Sequence, residues 1–314
     1  MTNELKEAVK SRLLITVLFM AQLMLTQYVV ADDIPVKNID YIFIAGEQEG
    51  LSLPTDLVVD GSGQIYVVDS GNDRIAIFSE DGEYLRSFGQ TGKLPGQFSG
   101  PVGIAIDSQQ RLLVADKGNN RIQIFDLRGN VIKTFETLFK SKAVNPVDVV
   151  VSKDGKRIYV TGNKTHNVMV YGSNGKLLHH WGGEGSAKSL FRYPATAALS
   201  DRGLLYIVDV LNTRVQAFDE KGKHVINVGG WGVLQGQLFR PKGVALDSSG
   251  NIYVGDSYMG VIQVFDSNHR FSHVLGDGGD VKTFSTPAGI FVDARNRLYV
   301  AEMLENQVSV YQLR

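Results

Sequence analysis

The sequence predicts an all-β fold, a ring of six four-stranded blades, and three observations carry that prediction. Prolines at 54, 101, 146, 194, 241 and 287 recur every 45 to 48 residues, and each opens a similar stretch of chain. Such a period marks a repeat architecture in which each unit is one supersecondary element. Glycine is frequent (34 of 314) and proline sparse (8), the composition of many tight turns between short strands. The last repeat ends at Arg314 one strand short, while IDYIFIAG (39–46) before the first repeat reads like a spare strand.

Each unit opens with PTDLVVD (54–60), PVGIAID (101–107), PVDVVVS (146–152), PATAALS (194–200), PKGVALD (241–247) or PAGIFVD (287–293), mostly apolar on both faces, as a strand covered on both sides must be. A turn such as GSGQ or SSGN leads to a second strand: IYVVD, LLVAD, IYVTG, LYIVD, IYVGD or LYVAE. The third strand alternates in RIAIF, RIQIF, NVMVY, RVQAF, VIQVF and QVSVY. Glycine turns (EDGE, LRGN, SNGK, EKGK) then precede a more polar outer strand such as YLRSFG. Four strands per unit, six times over, give a six-bladed β-propeller. Residues 39 to 46 are expected to complete the last blade, which removes an open edge.

The pattern Pro-x-Gly-Ile-Ala-x-Asp, then Leu/Ile-Tyr-Val-x-Asp, then Asn-x-Arg-Ile-Gln-x-Phe-Asp resembles the NHL repeat over residues 39 to 314. Unit 2 and unit 5 lie nearest the pattern, and unit 3 departs most, with Gly162 and Asn167 where an Asp and an Arg are expected. The resemblance implies architecture firmly and activity weakly, because such propellers serve as scaffolds, as RNA binders and in some cases as enzymes. Relatives of the peptide-amidating lyase hold a metal on channel histidines. The first strands here contain neither His nor Glu, and His179, His180, His224 and His273 fall in outer strands.

The N-terminus is a separate object. Lys6, Lys10 and Arg12 precede an uncharged run, 13 to 30, and Val29 and Ala31 fit the small-residue positions before a cleavage site at Asp32. Residues 1 to 31 therefore read as a signal peptide or, uncleaved, as an N-terminal anchor. Either directs the chain out of the cytoplasm, to a periplasmic or secreted location. Lack of cysteine removes disulfides and thiolate metal sites, and a net charge of -1 offers no electrostatic pull toward nucleic acid.

Candidate site residues follow from positions within the repeat. Asp69, Asp116, Asp209, Asp256 and Glu302 end second strands, and Arg74, Arg121 and Arg214 open third strands; recurrence once per blade points to a structural device. Asp56, Asp148 and Thr196 stand two residues after their prolines, where the other units carry glycine, and are the candidate ligand-binding groups. Apolar links at Val210, Leu211, Tyr258, Met259, Met303 and Leu304, with Trp231, contrast with the polar SGND and KGNN of units 1 and 2 and form the candidate protein interface. The expected function is a non-enzymatic interaction or ligand-binding scaffold, with a metal-dependent hydrolase or lyase at the channel mouth as the alternative. No cofactor, catalytic residue or nucleic-acid partner is expected. Another exported protein is the expected partner, any membrane contact runs through the N-terminal segment, and the chain is expected to be a monomer.

Overall fold

The computed structural model describes residues 34 to 46 and 49 to 314; the signal or anchor assigned to 1 to 31 lies outside the described residues. Val36–Arg314 is one compact unit. Blades 1 to 4 are separate four-stranded antiparallel sheets, beginning with Pro54–Val59, Pro101–Ile106, Pro146–Val151 and Pro194–Leu199. Blade 5 begins with Pro241–Leu246 and blade 6 with Pro287–Val292. Each first strand contacts the first strands of both neighbouring blades, closing a ring around a central channel.

Burial follows position in the blade. In blade 1 the second strand, Ile65–Asp69, is buried throughout, whereas the outer strand, Tyr84–Phe88, is exposed or half-buried. Between blades, side chains of adjacent sheets interlock: Tyr66, Val68, Ile75 and Ile77 of blade 1 pack with Ile104, Leu112, Val114 and Phe125 of blade 2. Burying such a side chain contributes about 1.5–3 kcal/mol, so each seam between blades is a source of stabilisation.

The closing strand forms as the sequence predicts. Ile39 to Ala45 pairs antiparallel with Val308 to Leu313, the third strand of blade 6. It begins earlier than expected, at Val36, and residues 36 to 38 pair in parallel with 274 to 276, the outer strand of blade 5. One strand therefore ties two blades together.

Three links between blades share a form the repeats did not announce. After blades 1, 3 and 4 the chain makes a bridge, Thr91 to Phe98, Glu184 to Phe191 or Trp231 to Leu238, whose last residue is fully buried. In the blade that follows each link, a buried third-strand glutamine clasps it. Gln123, Gln216 and Gln263 accept from the amides of Gly96, Ser189 and Gly236, and donate to the carbonyls of Gln97, Leu190 and Gln237. The links after blades 2 and 5 contain short hairpin pairings instead, and the third strands that follow carry Met169 and Ser309.

Candidate functional site

The acids that end the second strands are structural, as their recurrence predicts. Asp69 accepts from the Ser52 amide at 2.7 Å and from Arg74 Nε at 2.6 Å; Asp116 and Asp209 repeat the pattern with Ser99 and Arg121, and with Arg192 and Arg214. Asp256 accepts from the amides of Phe239 and Arg240, and Glu302 from that of Ser285. Each buried carboxylate thus anchors the link entering its own blade. Gly162 lacks the acid because Val144 fills the space: a Cβ there would lie 2.1 Å from a valine methyl.

Every first strand carries a register shift just after its proline, between Pro54 and Asp56 in blade 1 and between Pro146 and Asp148 in blade 3. A bulge re-aims the side chains beside it. Here it sends the third residue of the strand across to the next blade. Asp56 accepts from the Ile104 amide at 2.9 Å, and Asp148 from the Ala197 amide at 2.7 Å and from the Val149 amide. Thr196 donates to the Lys242 carbonyl, also one blade on. The glycines of this ring make the room: a Cβ on Gly289 would stand 2.5 Å from the Asp56 Cα, and one on Gly103 2.6 Å from the Asp148 Cα.

Both acids are buried. Burial, reinforced by the negative charge of Asp148, holds the Asp56 carboxyl well above the usual carboxylate range, against the opposing pull of the Ile104 and Leu57 amides. Burial pushes Asp148 up to about 7 despite its hydrogen bonds from Ala197 and Val149. Among the described residues no three His, Cys, Asp or Glu side chains are placed to hold a metal ion. Two histidines are engaged elsewhere: His166 Nδ1 accepts from the Tyr193 amide, and His269 Nε2 meets the Tyr206 hydroxyl at 2.9 Å.

Two cavities lie along the channel. Asp56, Asp148 and Thr196 line the inner one, about 270 Å³, whose remaining wall is apolar, including Val58, Ile106, Leu246 and Phe291. Above it the mouth opens as a cavity of about 610 Å³. Thr196 borders both, whereas the two acids border only the inner one. Val210, Leu211 and Met303 face into the mouth. Trp231, Tyr258 and Leu304 stand out from the rim, 75%, 71% and 65% exposed, and the Tyr258 ring packs at a tilt of 44° against Phe239 with centroids 4.6 Å apart. Met259 is half-buried and its amide donates to Asp256.

The family described as 6-bladed beta-propeller matches residues 36 to 149, and the NHL repeat matches 240 to 265. The chain is a six-bladed β-propeller with an NHL repeat match in its fifth blade. Solved structures similar to the propeller include a gluconolactonase from Xanthomonas campestris, at 18% identity and TM-score 0.62, over 89% of this chain and 88% of that one. Virginiamycin B lyase from Staphylococcus aureus is similar at 13% identity and TM-score 0.61, over 87% of this chain and 99% of that one. A streptogramin B lyase structure is similar at 16% identity and TM-score 0.61, over 82% and 78%. At such identities the likeness is one of fold. No curated protein matches the sequence.

The sequence reading missed the cations of the mouth, Lys117, Arg240 and Lys242. A signal was present: Lys242 follows its proline where the other units carry Thr55, Val102, Val147, Ala195 and Ala288, and Lys117 heads a link that begins with serine in unit 1. Near-neutral net charge concealed them.

Proposed function

We propose that this propeller is an exported, non-enzymatic binding scaffold that works through its top face, where the links between second and third strands meet the links between blades. One observation carries the reading. Trp231, Tyr258 and Leu304 are large apolar side chains left in solvent on one arc of the rim, blades 4 to 6, beside an open mouth. Aromatic residues and methionine are enriched at interface cores, and a few buried anchors carry most of the affinity of an interface. The alternative of a hydrolase or lyase draws support from the fold shared with the lyases and the gluconolactonase and from two acids with raised pKa in a cavity. It is the weaker reading, because both carboxyls are engaged by neighbouring backbone amides and neither borders the mouth.

Changing Tyr258→Ser and Met259→Ser together is expected to weaken capture of the partner from native-host extract by more than about 1 kcal/mol while the melting temperature stays nearly constant. Unchanged capture sinks the rim as the partner surface, and a large loss of stability moves the interface to another face.

A further inference from the structure

On the reading of the top face as the binding face, we infer that the mouth cavity takes a small amphiphilic anion, a carboxylate or phosphate on an apolar body, with Arg240 and Lys242 holding the charge and Lys117 facing it from blade 2. No Asp or Glu lines this cavity. Two of its four hydroxyl groups are engaged, since Thr55 donates to the Val102 carbonyl and Thr196 to that of Lys242. The walls between the cations are apolar, including Val102, Val147, Val210, Leu211 and Met303.

The three cations differ from the third-strand arginines of this face. Arg74, Arg121 and Arg214 are each held by a second-strand acid of their own blade, whereas none of Lys117, Arg240 and Lys242 forms an ion pair with a described residue. Blade 5 has Val261 in place of the third-strand arginine, yet Asp256 engages the backbone amides of Phe239 and Arg240 and leaves the Arg240 guanidinium unpaired among the described residues. Lys242 is half-buried, and burial, then the neighbouring Arg240 charge, lowers its pKa. Two like charges at the wall of an apolar cavity repel each other until an anion joins them, and an arginine offers that anion a planar pair of donors. Volume limits the guest: about 610 Å³ lies within the range of small-molecule sites.

Titration of the full chain with octanoate, octyl phosphate, octanol and octylamine tests this. The two anions are expected to bind saturably and to raise the melting temperature, less so as salt rises from about 50 to 500 mM, while octanol and octylammonium do neither. The tighter of the two anions identifies the headgroup. Lys242→Met with Arg240→Gln is expected to weaken the tighter anion by about tenfold or more, the value of one charge-assisted bond, with Lys242→Arg near the parent. Lys117→Met, from the opposite side of the ring, gives a second test should the double variant fold poorly, and a smaller loss is expected. Octanol binding as well as octanoate, no anion binding, or variants that bind like the parent each overturn the assignment. Loss of anion binding beside partner capture that still depends on Tyr258 would leave the rim reading standing; anion binding beside capture indifferent to Tyr258 would do the reverse.

Discussion

Asp56 and Asp148 set the chemistry of the channel at the scale of single residues. Each reaches one blade forward to a backbone amide, so the pair stitches blade 1 to blade 2 and blade 3 to blade 4. A carboxyl whose folded pKa is raised binds more protons folded than unfolded between the two values, so stability falls as pH climbs through that window. For Asp148 the window runs from about 4, the unfolded carboxylate value, to about 7. Asp56, raised as well, adds an effect of the same sign. The melting temperature is therefore expected to be lower at about pH 8 than at about pH 5, and Asp56→Asn with Asp148→Asn to flatten that slope. A parent protein that melts alike at both pH values, or a variant that keeps the slope, would show that burial does not hold these groups neutral. The positions of both acids are readable in the sequence as exceptions to a glycine ring. Their partners are not, because nothing local to Asp56 points to an amide 48 residues away.

At the scale of the element, the links between blades are held by buried amides rather than by apolar packing alone. Gln216 is fully buried; its Oε1 accepts from Ser189 and its Nε2 donates to the Leu190 carbonyl and to Asp209. Replacing it with leucine strips partners from these groups, and an expected loss of about 2 kcal/mol in chemical denaturation follows, since buried polar groups left unpaired cost about 1–3 kcal/mol each. Met169→Leu at the matching position of blade 3 is expected to cost less than about 1.5 kcal/mol, because that blade has no glutamine clasp to lose. Equal losses at the two sites would remove the clasp as the cause. Strands were legible throughout, because a blade must bury its second strand on both faces and that need leaves a strong apolar pattern. The glutamines were legible only as letters in IQIF, VQAF and IQVF. Their role depends on links of irregular sequence that pattern reading treats as loop.

At the scale of the whole molecule, closure was readable from a deficit: a last repeat lacking one strand and a first repeat preceded by one. The structure bears this out and adds the parallel pairing of residues 36 to 38 with blade 5. A chain beginning at Leu51 leaves the third strand of blade 6 as an open edge and uncovers Tyr311 and Val310, so its melting temperature is expected to drop by at least several degrees. Identical melting of the two chains would refute closure by this strand. The mouth cations stayed hidden at the sequence level because Lys117 comes from blade 2 and Arg240 and Lys242 from blade 5, and only the ring brings them to one cavity.

The same shared blade imposes an order in time. Synthesis runs from the N-terminus, and domains can begin to fold before the chain is complete. Here a strand made early waits for one made late, since Ile39 to Ala45 has its long partner only when residues 308 to 313 exist. Blades 1 to 4, each built from consecutive strands, can assemble while the ribosome is still working. Closure by this strand therefore has to wait until residues 308 to 313 are made, after the first strands of all six blades.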